Sequence, residues 1–302
     1  LSLLFVPRPK ARGMEISMDK KKIYSTWFLV PAMAVFTVFF LIPLLLSLYF
    51  SLTIWNFDEV KFCGLQNFKM FFSERSLNTG VKNTMIYAVL TCGAKVVLGF
   101  LIGVFLTSSI KTKNLLRSIV FFPNLVSTIA VGITFTALMH PSKGLINKCL
   151  GLIGIQGIDW LGNTKLALFS VIGTDVWKGL GVASVIFIAG IQAIDKTYYE
   201  AAVIDGADKW KQLLYITLPL ARPAMNSVIM LSFIGGMRSF DLIWAMTGGG
   251  PGYATEVVAS AVYKQYAAGY YGLSTAGNVI MFLMIAVLAY PLQKFLLSRE
   301  VD

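Results

Sequence analysis

The chain alternates between long apolar blocks and short polar connections. Six blocks run approximately over residues 27–52, 84–106, 119–139, 166–194, 223–246 and 272–292. Each is long enough to cross about 30 Å of hydrocarbon at about 1.5 Å per residue. Pro31, Pro43 and Pro291 lie within these blocks or at their edges. A spanning helix tolerates proline where its neighbours satisfy the freed carbonyls. The pattern predicts an all-α membrane protein with about six transmembrane helices.

Composition agrees with lipid as the solvent. Of 302 residues, 56% are hydrophobic and 14% charged, against about a quarter charged in soluble domains. The net charge of +11 does not imply nucleic acid, because the basic residues are spread between apolar blocks and follow topology instead. With the N-terminus inside, fifteen Lys and Arg fall in cytoplasmic segments and eight in outer ones. Omitting Arg8, Lys10 and Arg12 leaves twelve against eight, so both termini are expected in the cytoplasm.

The first seventeen residues do not read as a secretory signal, since their apolar run is short and the basic stretch follows it. Met18, or else Met14, is the expected natural start, with 1–22 a disordered cytoplasmic stretch. Residues 23–83 hold the first helix and an outer loop, 84–297 a core of five helices, and 298–302 a tail. Cys92 reads as a small hydrophobe. Cys63 and Cys149 share the outer side, but nothing in their spacing demands a bridge. The single histidine, His140, has no partners for a metal site or a triad.

One connection is too polar to span and too regular to be slack. Residues 195–222 read DKTYYEAAVIDGADKWKQLLYITLPLAR. Thr197 and Glu200 have the spacing of a capping box. Gly206 suits a left-handed helix stop, and Asp208 is placed to cap a second helix that ends at Pro219 and Pro223. Two short helices meeting at a glycine are predicted at the membrane surface. The string Glu200, Ala201, Ala202, Asp205, Gly206, Ala207, then Ile216, Leu218 and Pro219, resembles the EAA loop of ABC importer permeases. That resemblance implies a type I ABC importer permease fold, with this loop docking into a groove on a cytoplasmic ATPase.

Further strings resemble the carbohydrate branch of that family, of maltose, lactose and glycerol-phosphate type. They are GLQNF at 64–68, Asn83-Thr84, DVWKGLG at 175–181 and FDLIWAMTGGGP at 240–251. The resemblance implies a sugar or oligosaccharide pathway shared with a second homologous permease subunit. It also implies two ABC ATPase subunits and an extracellular solute-binding protein docking near residues 56–81, 141–165 and 248–268. No G-x-x-x-x-G-K-S/T loop occurs, so ATP hydrolysis is expected from the separate subunits and this chain is read as neither an enzyme nor a cofactor binder. Alternatives are a permease for another solute, such as glycerol phosphate or a polyamine, and a stand-alone secondary transporter. The latter would want inverted repeats or an ion site.

Ionisable residues inside membrane blocks are functional candidates by default. Asp175 and Lys178 are spaced to pair on one helix face, and so are Arg238 and Asp241. Lys95 has no partner at helical spacing; snorkelling, lining an aqueous path and pairing with another subunit are all open. The family's sugar-binding stretch matches Ser232, Gly235, Gly236 and Ser239 here, with Arg238 beside them. The two glycines allow a roomier path, no defined site, or close helix packing. Trp27, Trp55, Trp160 and Trp244 fall near span ends, where an interfacial belt is the ordinary explanation.

Overall fold

The computed structural model describes residues 26–56, 59–108 and 110–299. The expectations for residues 1–22 and for the last three residues of the tail lie outside these. Contacts divide the chain into a unit ending at Leu45 and a second from Leu46 onward. The first apolar block forms helix α1, Trp27–Ser51. A small hairpin follows, so the fold is not purely helical: β1 (Thr53–Trp55) pairs antiparallel with β2 (Val60–Phe62), Thr53 facing Phe62. Then come α2 (Gln66–Ser73), α3 (Arg75–Thr107), α4 (Lys113–Leu125), α5 (Thr128–Leu138), α6 (Leu145–Leu152) and α7 (Ala167–Gln192). The chain continues with α8 (Lys196–Ile204), α9 (Lys209–Leu220), α10 (Arg222–Met237), α11 (Asp241–Thr247), α12 (Val258–Ala267) and α13 (Tyr271–Leu297).

Among the described residues, α1, α3, α7 and α13 are each long and apolar enough to cross a membrane. The third block is not a straight helix, α4 and α5 meeting at 97°, and the fifth is entered from the polar connection through a 64° bend between α9 and α10. Counting each bent pair as one span gives up to six candidate crossings. At the second bend Pro219 and Pro223 flank Ala221, and each removes a backbone donor from the helix ladder. The fifth block itself breaks after Met237, where Arg238 leaves helical geometry (φ −106°, ψ 15°) before α11 begins at Asp241.

Small residues set the helix crossings, as lipid offers no hydrophobic drive between spans and packing must hold them. A Cβ on Gly99 of α3 would come within 2.8 Å of Ala183 Cβ on α7, and one on Gly103 within 2.7 Å of Phe187 Cβ. On α7, a Cβ at Gly181 would stand 2.7 Å from the Val120 carbonyl of α4.

At the end of the bundle that carries the hairpin, polar side chains clasp loops to helices. Asn67, from the GLQNF string, donates to the Ser51 and Thr53 carbonyls at 2.9 and 2.8 Å. Asn83 donates to the Tyr253 and Ala254 carbonyls, both at 3.1 Å. Thr84 accepts from the Val258 amide at 3.0 Å. Glu256 is fully buried, pairs with Lys264 at 2.5 Å and accepts from the Ser260 hydroxyl. Cys63, Cys92 and Cys149 are free thiols, and His140 Nδ1 accepts from the Ser142 and Lys143 amides.

Candidate functional site

The polar connection folds into the helix pair α8–α9. Its N-terminal cap differs from the expected Thr197–Glu200 box. Asp195 is the capping residue, its carboxylate accepting the Thr197 amide at 2.9 Å. Asp195 has extended backbone (ψ 136°), which aims its side chain back over the first turn, while Thr197 already lies inside the helix. The bond to the Thr197 amide, reinforced by its side chain, holds the Asp195 carboxyl below the usual carboxylate range. Glu200 is left exposed in mid-helix.

The helix stop is as expected. Gly206 takes φ 75°, its amide donates to the Val203 carbonyl at 3.0 Å, and Ala207 donates to Ala202 at 2.8 Å. These two bonds complete a Schellman motif. Asp208 then caps α9 through the Lys211 amide at 2.8 Å. Two contacts make the pair one unit: Gln212 Nε2 donates to the Ala207 carbonyl at 3.0 Å, and the Tyr199 and Thr217 hydroxyls meet at 3.0 Å. Asp205 and Ala201 are exposed, whereas Ala202, Ala207, Leu218 and Pro219 are half-buried. The pair presents large apolar side chains outward, with Ile204 86%, Tyr215 78% and Trp210 71% exposed.

A second constellation lies between the spans. Lys95 Nζ on α3 pairs with Asp175 Oδ2 on α7 at 2.6 Å, with both side chains largely buried. This replaces the expected Asp175–Lys178 pair and gives Lys95 a partner within its own chain. Lys95 reaches across because residue 179 is glycine: a Cβ there would stand 2.5 Å from Lys95 Cε. Lys178 is half-buried and Arg238 and Asp241 are exposed, with no ion pair to any of them among the described residues. The break after Met237 removes the helical spacing that would have joined Arg238 to Asp241. The buried Tyr87 hydroxyl faces Asp175 and Ser239 without closing a hydrogen bond to either.

Beside the ion pair lies a cleft of about 150 Å³, lined among others by Lys95, Asn124, Gly179, Ser232 and Gly235. The two adjacent glycines therefore differ. Gly236 packs α10 on α3, where a Cβ would come 2.7 Å from Ala88 Cα, but Gly235 has nothing within 4 Å and opens on the cleft. Asn124 is a lining residue that the sequence marks only as a polar amide directly after Pro123 inside an apolar block. Of the four tryptophans expected in an interfacial belt, Trp160 donates to Asn147 Oδ1 at 2.8 Å and Trp244 stacks on Phe240.

Residues 95–300 match the family of binding-protein-dependent transport system inner membrane components. Over 259 residues the chain is 32% identical to the trehalose/maltose transport system permease protein MalF of Thermococcus litoralis, covering 85% of this chain and 88% of that protein. It is 28% identical to the multiple sugar-binding transport system permease protein MsmF of Streptococcus mutans, covering 91% of this chain and 96% of that one. A chain of a bacterial ABC transporter involved in import of the acidic polysaccharide alginate has the same fold. The TM-score is 0.77 at 22% identity, over 91% of this chain and 95% of that one. The match over more than two thirds of the sequence, together with these relatives, settles the family: the chain is a multi-pass membrane protein belonging to the inner membrane components of binding-protein-dependent transport systems.

Proposed function

We propose that this chain is the permease subunit of an ATP-driven importer for a sugar or oligosaccharide. In this reading α8–α9 faces the cytoplasm and docks into an ATPase subunit, and a second homologous permease completes the path. A binding protein delivers solute to the hairpin end. The observation that carries the reading is the doubly capped α8–α9 unit. It holds Ile204, Trp210 and Tyr215 exposed on a rigid turn, as a docking knob requires and a slack connection does not. The positive bias of the same segments supports the orientation. Glu200 and Asp205, exposed on α8, are available to a partner, while Ala201, Ala202 and Ala207 keep the surface low enough for close approach.

The cleft beside Lys95 is the proposed solute path, with Ser232 and Asn124 as hydroxyl partners. A second reading, a phosphorylated or acidic carbohydrate, is favoured by Arg238, which is exposed and forms no ion pair among the described residues. Two experiments test the proposal. Purification of the tagged chain from native membranes is expected to bring with it an ATPase and a second permease. Gly206→Pro, which cannot adopt φ 75°, is expected to abolish solute-stimulated ATP hydrolysis with insertion unchanged. Unaltered stimulation in that variant refutes the coupling role. Solute movement by the chain alone, without ATP, refutes the importer.

A further inference from the structure

A second opening lies away from the Lys95 cleft, where α11, α12 and α13 meet. It measures about 270 Å³ and is bounded by Phe240, Tyr263, Tyr266, Ser274 and Asn278. That is slightly below the about 300 Å³ at which drug-sized pockets begin, the scale of one sugar ring. We propose that this groove is a second carbohydrate subsite, taking one pyranose ring of an oligosaccharide on its way to the cleft. The proposal rests on the carbohydrate reading above and extends it to a new place.

Three observations carry it. The first is an ordered aromatic wall: Phe240 stacks on Trp244 at 5.5 Å, and Tyr263 meets Trp244 edge-on at 4.8 Å and Phe240 at 5.3 Å. Mutual packing fixes these rings, yet Tyr263 and Tyr266 stay 43% and 54% exposed. The C–H face of a pyranose is apolar and stacks on such rings, while its hydroxyls need amide or hydroxyl partners at the edge.

The second observation supplies those partners. Ser274 and Asn278 lie one turn apart on the same face of α13, and both line the groove. The buried Ser274 hydroxyl donates to the Val262 carbonyl at 3.1 Å and has only its acceptor side left, so Asn278 is the main partner. Asn278 is exposed within a spanning helix and makes no hydrogen bond among the described residues. An amide turned into hydrocarbon has nothing to satisfy it, so this face of α13 opens on water or solute. A belt of interfacial aromatics accounts for single rings but not for the amide beneath them.

The third is continuity. Gly235 lines the cleft, and Phe240, five residues on across the break after Met237, lines the groove, with Arg238 exposed between them.

The test uses the complete importer with its binding protein in liposomes. The probes are maltose, maltoheptaose and an arabinooligosaccharide series. Tyr263→Ala and Asn278→Ala are expected to lower uptake of the longest imported oligosaccharide by about fivefold to tenfold, the scale of one aromatic contact. Disaccharide uptake should fall by less than about twofold, and Tyr263→Phe should retain long-chain uptake. Ser232→Leu, in the cleft, should lower both lengths alike, which separates the two sites. Equal loss at both lengths in the Tyr263 and Asn278 variants, or no loss at either, overturns the subsite. Release of the second permease from the purified complex also overturns it, since the groove is then a subunit contact. Import of none of these sugars by the wild type overturns the carbohydrate reading and the subsite with it.

Discussion

The Lys95–Asp175 pair offers a quantitative test of how α3 and α7 are held. Both side chains are largely buried, at 13% and 21% exposure, and their charges stand 2.6 Å apart. Replacing Lys95 with Met leaves the Asp175 carboxylate without its counter-charge. Breaking a buried pair this way costs about 3–5 kcal/mol, and the residual exposure of Asp175 reduces that to about 2–3 kcal/mol. Asp175→Leu should cost a similar amount by stranding the ammonium. The double variant removes both charges and keeps apolar volume in place, so its loss should be well below the sum of the singles. At about 2–4 °C per kcal/mol for a chain of somewhat smaller size, each single variant should melt about 5–10 °C lower. The double variant should recover more than half of that. The assay is thermal unfolding of the purified importer complex, read as a double-mutant cycle. Additive losses, with a coupling energy below about 0.5 kcal/mol, would mean that the pair is an incidental contact between helices already fixed by Gly99 and Gly103.

The two adjacent glycines should separate on mutation. Gly236→Ala pushes a methyl against the Ala88 backbone and should cost about 1–3 kcal/mol by overpacking, seen as a lower melting temperature. Gly235→Ala meets nothing and should leave the melting temperature unchanged while narrowing the cleft and slowing uptake. Asn83→Ala strips one donor from two carbonyls and should cost about 1–3 kcal/mol. Faster hydrogen exchange confined to residues 250–258 is the diagnostic result. The Asp195 carboxyl titrates below its unfolded value of about 3.9. Its capping contribution is therefore fully present above that pH and lost only as pH falls through the lower folded value. Exchange protection of residues 196–204, corrected for intrinsic rates, should be flat from pH 5 to 8. Asp195→Ala should lower it throughout that range. A loss of protection in the wild type between pH 7 and pH 5 would refute the cap.

Much of the architecture is legible in the blocks because a spanning helix declares itself by length and apolarity alone. Gly206 and Asp208 were equally plain, since each acts within its own turn. What was missed depended on competition or distance. Asp195 and Thr197 are both good caps, and the sequence does not say which residue has the extended backbone that a cap needs. The bends at Val126–Ser127 and Ala221 sit beside prolines, but a membrane helix often absorbs a proline without bending this far. The partner of Lys95 lies 80 residues away on another helix. Helical spacing offers Lys178 to Asp175 and is blind to Gly179, the residue that lets Lys95 through.

The strings that carried the family resemblance divide into two kinds of work. In GLQNF and Asn83-Thr84, the side chains of Asn67, Asn83 and Thr84 spend their hydrogen bonds inside the chain, on Ser51, Thr53, Tyr253, Ala254 and Val258. They fasten α2 to the end of α1 and to the hairpin, and α3 to the loop before α12 and its first residue, so these side chains have little left to offer a ligand. The Glu200–Pro219 string does the reverse: its local bonds are satisfied by caps, and its large apolar groups and its acids face outward. In DVWKGLG the work is again internal, with Gly181 admitting α4, Gly179 admitting Lys95, and Asp175 receiving it. A motif residue whose donors and acceptors are all engaged within its own chain is under structural demand, and its substitution should register first as instability. One left exposed on a rigid frame, as Glu200 and Asp205 are on α8, should register first in a partner-dependent activity. Comparing melting temperature with solute-stimulated ATP hydrolysis for Asn67→Ala and Glu200→Ala separates the two demands. Loss of stimulation at full stability is expected for Glu200, and the opposite order for Asn67. A reversed pattern would place the partner contact at the hairpin end.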